Sequence, residues 1–273
     1  MRAAPLGGSV PGVKAPQTSA PQSPIGRIPV QNVRPCVDHG KRPAKSVVGE
    51  EFDVTATVFR EGHDAVNATL VVTDPDGQER AQLMTCLNPG LNHWAGPLVA
   101  DREGWWSYRV EGWSDPYGTW VHDAEIKVAA GVDVELMLAE GALVLERARD
   151  EVKRPKKAKA LIDEAIDILR DDTKEPFDRL GAGTHPKIRS EMAERPLRDH
   201  VSPSADLPLL VERERALAGA WYEIFPRSEG ATYDVTEHKW TSGTFRTAAK
   251  RLPAIAAMGF DVVYLTPIHP IGS

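Results

Sequence analysis

From residue 29 to about 130 the apolar positions recur every second residue, the period of a strand with one face turned inward. Phe52, Val54, Ala56 and Val58 alternate with Asp53, Thr55, Thr57 and Phe59. Leu70, Val71 and Val72 run into Asp74-Pro75-Asp76-Gly77, where the proline presets φ and the glycine accepts a positive one. Further strands are predicted over 31–37, 105–112 and 120–128, with Gly, Pro and Asn between them. Short strands at this spacing predict an antiparallel β-sandwich. At Asp133 the period lengthens to 3.6. Val134, Leu138, Leu145 and Val152, with Met137 and Ala142, form a helical stripe with Asp133 placed as its N-cap. Pro155 stops that helix by removing a backbone donor. Leu161, Ile162, Ala165, Ile168 and Leu169 mark a second helix, and a third is predicted from Thr184 to Glu194, closed by Pro196. Short loops between three helices predict a small bundle.

A third pattern begins after residue 207. Leu209–Val211 reads as extended, and residues 221–225 as a buried strand. Phe245, Ala248, Leu252, Ile255 and Ala256 recur at helical spacing up to Gly259, with Pro253 expected to kink or divide the helix. Residues 260–265 are nearly all apolar and predict a second buried strand. Strand, helix, strand with continuous apolar runs is the βαβ signature of a parallel sheet. Two such strands and one helix leave the sheet's faces and edges uncovered, so the chain to Ser273 reads as the front part of something longer. At the other end, residues 1–28 hold five prolines and no acidic residue, and are expected to be a disordered tail.

Composition narrows the function classes. Thirty-three basic against 39 acidic side chains leave a charge of −6, which argues against a whole-protein grip on nucleic acid or an anionic membrane. No uncharged apolar run approaches the roughly 20 residues needed to span a bilayer, and the N-terminus shows no secretory signal, so a cytoplasmic protein is expected. Cys36 and Cys86 are expected to be free thiols in that compartment, and the Asn67-Ala68-Thr69 sequon to be chance. The basic cluster from Lys153 to Lys159 lies beside Asp150 and Glu151 without neighbouring aromatics, and reads as a solvated loop. His39 and His63 are isolated turn residues. No metal-ligand spacing, phosphate loop or Ser–His–Asp pattern appears, and no cofactor is implied.

The last fifty residues resemble the opening of a glycoside hydrolase family 13 catalytic barrel. Trp221, Tyr222, Ile224, Phe225, Pro226, Arg227 and Ser228 match its first-strand pattern, and residues 258–268 (MGFDVVYLTPI) its second, with Thr266 standing where a proline is expected. Within that family the chain is most similar to the α-1,4-glucan:maltose-1-phosphate maltosyltransferases, through RPAKSVVGEEFDVTATVFREGHDAV (42–66), the Trp113, Asp115, Pro116 and Trp120 segment, and PLRDHVS (196–202). The resemblance implies an immunoglobulin-like β-sandwich over 29–131 and 207–220, an inserted helical bundle over 132–206, and the first two strands of a truncated (β/α)8 barrel over 221–273. It implies a homodimer through sandwich and bundle, with no nucleic acid or membrane partner. The implied substrates are maltose 1-phosphate and α-1,4-glucan.

The implied reaction moves a maltosyl unit to the non-reducing end of the glucan with retention, which needs a carboxylate nucleophile and a carboxylic acid/base about 5–5.5 Å apart. In such barrels these groups lie after later strands than the two present. The resemblance therefore implies that the catalytic carboxylates lie beyond Ser273, so no catalytic residue is assigned and the chain alone is expected to be inactive. Glu223 in mid-strand and Asp261 at a strand's opening are read as structural. His269, in the loop after the second strand, is the one candidate substrate-binding residue. The competing reading is a non-catalytic carbohydrate-binding or dimerisation module. Trp94, Trp105, Trp106, Trp113 and Trp120 would stack on sugars in it, although adjacent Trp105 and Trp106 must point in opposite directions.

Overall fold

The computed structural model describes residues 26–269. They divide into two compact units, one ending at Val211 and the other beginning at Glu212. Among the described residues there are mixed sheets and several helices, and no closed barrel.

The first unit opens with eight strands: β1 (Val30–Arg34), β2 (Ala44–Val47), β3 (Glu51–Val58), β4 (Val66–Thr73), β5 (Glu79–Leu83), β6 (Thr85–Asn88), β7 (His93–Val99) and β8 (Gly104–Ser114). Helices follow at α1 (Pro116–Ala129), α2 (Val134–Glu151), α3 (Lys156–Arg170), α4 (Pro176–Gly183) and α5 (Pro186–Glu194), before β9 (Asp199–Pro203) and β10 (Leu207–Glu212). One sheet has the order β1-β3-β7-β6 and the other β2-β10-β8-β4-β5, with β9 paired to the far end of β8. Val54, Ala56 and Val58 of β3 and Leu98 of β7 face Leu70 of β4, Trp106, Tyr108 and Val110 of β8, and Leu209 of β10 across one apolar core. The period-two pattern produced this directly, because β3 and β8 bury every second residue.

The helices surround a second core built from Trp120, Leu138, Leu145, Ile162, Leu169 and Ile188. The strand predicted over 120–128 is instead the body of α1. Asp115 caps it by accepting from the Gly118 N–H (2.8 Å), and Pro116 occupies the first turn. Tyr117, Trp120, Val121, Ala124 and Val128 then fall on one buried helical face, a stripe of aromatic and β-branched residues that resembles a strand when read by propensity alone. Helical structure therefore begins well before 132, and the chain is back in the sheet by Asp199. The short helix α4 has no counterpart among the predicted elements. Asp133 does precede α2, yet with a left-handed backbone (φ 50°) and no side-chain capping bond.

Two further expectations change. The 1–28 tail lies outside the described residues except at its end, where Ile28 is buried in the sandwich core and its N–H donates to Ser202 Oγ (3.3 Å). The 153–159 cluster is not uniformly solvated. The Arg154 side chain is fully buried and donates to the carbonyls of Ala148 (2.8 Å), Glu191 (3.2 Å) and Arg195 and to Glu191 Oε1 (2.6 Å), which fastens the α2–α3 turn to α5. Cys36 and Cys86 are both unpaired.

The second unit contains β11 (Trp221–Ile224), the hairpin β12 (Thr232–Asp234) and β13 (Lys239–Thr241), α6 (Phe245–Ala249), α7 (Leu252–Ala257) and β14 (Val262–Leu265). β11 and β14 pair in parallel, with Trp221 opposite Val262 and Ile224 opposite Leu265. The helical stretch is divided at Lys250 and Arg251, and Pro253 falls in the first turn of α7. The strands are less buried than their apolar runs predict. Among the described residues the buried members of this unit's apolar core are Ile224, Ala248 and Ile255, because two short helices cover little of the pair. The barrel segment predicted over 221–273 is thus described as far as His269. Its last residues, Ser273 among them, lie outside the described residues, and so does the expectation of catalytic carboxylates beyond Ser273.

Candidate substrate-binding face

Parallel pairing makes β11 and β14 finish side by side, at Ile224 and Leu265, so the segments that follow them leave from the same end. In α/β sheets ligands bind outside these carboxyl ends. His269 lies here, exposed, in the segment after β14. Thr266 lies at the same end. Its N–H donates to the Ile224 carbonyl (3.3 Å), while its Oγ1 is shielded from solvent without a hydrogen-bond partner among the described residues.

The segment after β11 carries the β12–β13 hairpin, where the sequence predicts no regular element. Its base is closed by Gly243 N–H donating to Arg227 O (2.8 Å). A Cβ at Gly243 would lie 2.1 Å from Glu229 O, so only glycine fits. Thr247 Oγ1 donates to Glu229 O (2.6 Å), and Thr244 with Thr247 forms a capping box that starts α6. On the hairpin, Tyr233 and Trp240 are register partners with ring centroids 5.1 Å apart and planes inclined at 46°.

The two carboxylates read as structural are placed accordingly. Glu223 is exposed in mid-strand opposite Tyr264. Asp261 precedes β14, at the opposite end from His269, where it accepts from the Ala220 N–H (3.1 Å) and pairs with Arg215. Neither is brought to His269.

In the first unit the Trp113–Trp120 segment and PLRDHVS converge on one cleft of about 430 Å³, lined among others by Asn67, Trp113, Asp115, Tyr117, Arg189 and Leu197. Burial raises the Asp115 carboxyl above its ordinary value, against the lowering effect of donors from Gly118 (2.8 Å) and Asn67 (3.5 Å). Burial likewise pushes the Tyr117 hydroxyl up to about 12, and that hydroxyl donates to Gly183 O (3.0 Å). Arg189 pairs with Glu125 (2.6 Å). These polar groups are occupied in capping α1, in tying it to β4 through Asn67 and in linking it to α4 and α5, so the motifs mark a structural junction.

Of the five sandwich-region tryptophans, Trp94, Trp106, Trp113 and Trp120 are buried. Their Nε1 atoms donate to Val58 O (3.1 Å), Arg102 O (3.1 Å), Thr69 Oγ1 (2.9 Å) and Met137 O (2.7 Å) respectively. None of the four offers a free face to a sugar. Among the described residues no group of three or more His, Cys, Asp or Glu side chains is arranged to hold a metal ion. No described helix is long and apolar enough to cross a membrane.

Comparison with known proteins assigns the chain to a family. Residues 26–213 match the family model described as α-1,4-glucan:maltose-1-phosphate maltosyltransferase, domain N/S. The chain is 55% identical over 250 residues to α-1,4-glucan:maltose-1-phosphate maltosyltransferase 1 of Streptomyces coelicolor, 91% of this chain and 36% of that protein. The enzyme of the same name from Arcanobacterium haemolyticum is 43% identical over 249 residues, with the same coverages. That of Mycobacterium tuberculosis is 41% identical over 273 residues, covering 90% of this chain and 38% of the relative. The chain thus spans little more than a third of the length of these relatives. With the family model matching well over half of its residues, the chain belongs to the α-1,4-glucan:maltose-1-phosphate maltosyltransferase domain N/S family.

Proposed function

We propose that this chain forms the N-terminal part of a retaining maltosyltransferase, which moves maltosyl units from α-maltose 1-phosphate to the non-reducing end of an α-1,4-glucan and releases phosphate. The observation that carries the reading is the 55% identity to a maltosyltransferase across nearly the whole chain. In this proposal the two facing sheets are an immunoglobulin-like sandwich (29–131 and 207–220) with a helical bundle inserted over 132–206. Residues 221–269 begin a (β/α)8 barrel of glycoside hydrolase family 13, and the parallel pairing of β11 with β14 supports that assignment. His269 contributes to the donor site from the carboxyl end of β14. Retention requires two carboxylates about 5–5.5 Å apart, and the proposal puts both on later barrel strands, beyond Ser273. Glu223 and Asp261 are not assigned that task, since Asp261 is committed to Ala220 and Arg215 and Glu223 stands in mid-strand rather than at the carboxyl end.

The proposed setting is the cytoplasm, in keeping with two unpaired cysteines. The first unit is proposed to pair two copies, a role supported by exposed Ile126, Val132, Leu136 and Leu143 on and between α1 and α2. Sedimentation of the 273-residue chain as a dimer is expected, and a strict monomer would remove that part of the proposal. For the activity, the matching N-terminal third of the Streptomyces coelicolor enzyme is exchanged for this chain. The chimera is expected to release phosphate from maltose 1-phosphate in the presence of glucan, whereas the chain alone releases none. A folded but inactive chimera counts against the function, and turnover by the isolated chain counts against placing the reactive carboxylates beyond Ser273.

A further inference from the structure

We propose that Tyr233 and Trp240 form a stacking platform for an α-1,4-glucan chain, an inference that rests on the transferase reading and assigns a contact for its glucan. The two residues face each other across a two-stranded ribbon, Tyr233 42% and Trp240 67% exposed. Directly opposed aromatics on an antiparallel pair lie on the same face and help to hold a short hairpin together. That role alone does not require an indole left mostly in water, since hairpin stabilisation is served equally by smaller or β-branched pairs.

The platform is already ordered. Tyr233 Oη is 3.2 Å from His238 Nδ1, which fixes the ring. Asp234 Oδ1 accepts from the N–H groups of Thr236 (2.8 Å) and Glu237 (3.0 Å), which fixes the turn, and Gly243 and Thr247 fix the base of the loop. Rings held in place before binding lose little freedom when a ligand arrives. Amphipathic rings with an apolar face suit the C–H face of a pyranose, and the polar groups around them suit its hydroxyls. Lys239 offsets one of the two carboxylates Asp234 and Glu237, so the rim carries no excess of positive charge and suits an uncharged polyhydroxylated chain rather than a polyanion. The 46° between the planes follows a chain that curves from one residue to the next, as α-1,4 linkage makes it do, better than a flat ribbon. The hairpin also leaves from the carboxyl end of β11, the end where such sheets meet their ligands.

Affinity electrophoresis of the 273-residue chain through native gels containing soluble amylose tests the platform without any need for turnover. The expected result is retardation that weakens at least about tenfold in Trp240→Ala and in Tyr233→Ala, and that stays within about threefold in Trp240→Phe, with the circular dichroism of all three unchanged. Absence of retardation in the parent chain overturns the proposal. So does a Trp240→Ala variant retarded like the parent, or one that loses its melting transition and keeps its retardation. In the chimera, Trp240→Ala is expected to raise KM for glucan while leaving KM for maltose 1-phosphate unchanged. An active chimera with unaltered glucan KM sinks the platform and spares the transferase, whereas an inactive chimera sinks the transferase and leaves the gels to decide the platform.

Discussion

Between Gly26 and Val211, four of the five tryptophans are buried with each of their indole nitrogens bonded to the protein, and Trp105 is half-buried. Beyond Glu212, the two tryptophans are about two-thirds exposed, Trp221 at 63% and Trp240 at 67%. The first unit has two deep cores, whereas among the described residues of the second the apolar core has three buried members, Ile224, Ala248 and Ile255. One residue type thus does two kinds of work. In the first unit it supplies volume and a satisfied donor to a fold that is complete around it. In the second it presents area to whatever meets that surface. Counting tryptophans does not identify a sugar-binding face, because the count says nothing about which rings have partners already.

The largest expected effect breaks or upholds this contrast directly. Trp113 is fully buried, and its Nε1 donates to Thr69 Oγ1 on the neighbouring strand β4. Trp113→Ala removes the ring and leaves that hydroxyl without its donor, at a cost of about 3–5 kcal/mol in urea unfolding of the first unit. Trp240→Ala should change stability by less than about 0.5 kcal/mol, as exposed substitutions generally do. Equal costs at the two positions would mean that the second unit depends on its tryptophans for folding, and the contrast would fail.

The same division explains what is legible in the sequence. Alternation in β3 and in β8 is visible because one face of each strand is buried and the other is wet, so the period survives in the residue types. α1 reads as a strand because its buried face is built from Trp120, Val121 and Val128, which favour strands when taken singly. The signal that outweighs them is Asp115-Pro116, an N-cap followed by a first-turn proline. Arg154 groups with its charged neighbours, and nothing local shows that four acceptor groups on α2, α5 and the turn beyond it would enclose it. The β12–β13 hairpin escapes notice because three-residue strands are too short to display a period. The aromatic pair flanking Asp234 and its turn is the available sign. At the candidate face, the sequence puts His269 in the segment after the second strand, and there it is exposed. The shielded Thr266 hydroxyl shows only as a departure from pattern, since burial without a partner is a property of three-dimensional packing.

A smaller effect sharpens how the first unit holds its sheet to its helices. Arg147 on α2 donates to both carboxylate oxygens of Asp199 on β9 (3.1 and 2.8 Å), and these hydrogen bonds hold the Asp199 carboxyl below its ordinary value against the opposing effect of burial. A depressed acid pKa stabilises the fold fully only above the unfolded value, near about 3.9 for aspartate, and the contribution disappears as pH falls through the folded value below it. Asp199→Asn should therefore cost about 1 kcal/mol or less at pH 7, because both partners are partly exposed and water screens the pair. The difference between parent and variant, measured by urea titration, should shrink from about pH 5 downward and vanish at the acid end. The second unit has no part in this pair, so the hydrogen exchange of β11 and β14 should be the same in parent and variant at every pH. A difference that persisted at low pH would show that Asp199 acts through shape rather than charge. A change confined to β11 and β14 would show that the two units do not respond separately.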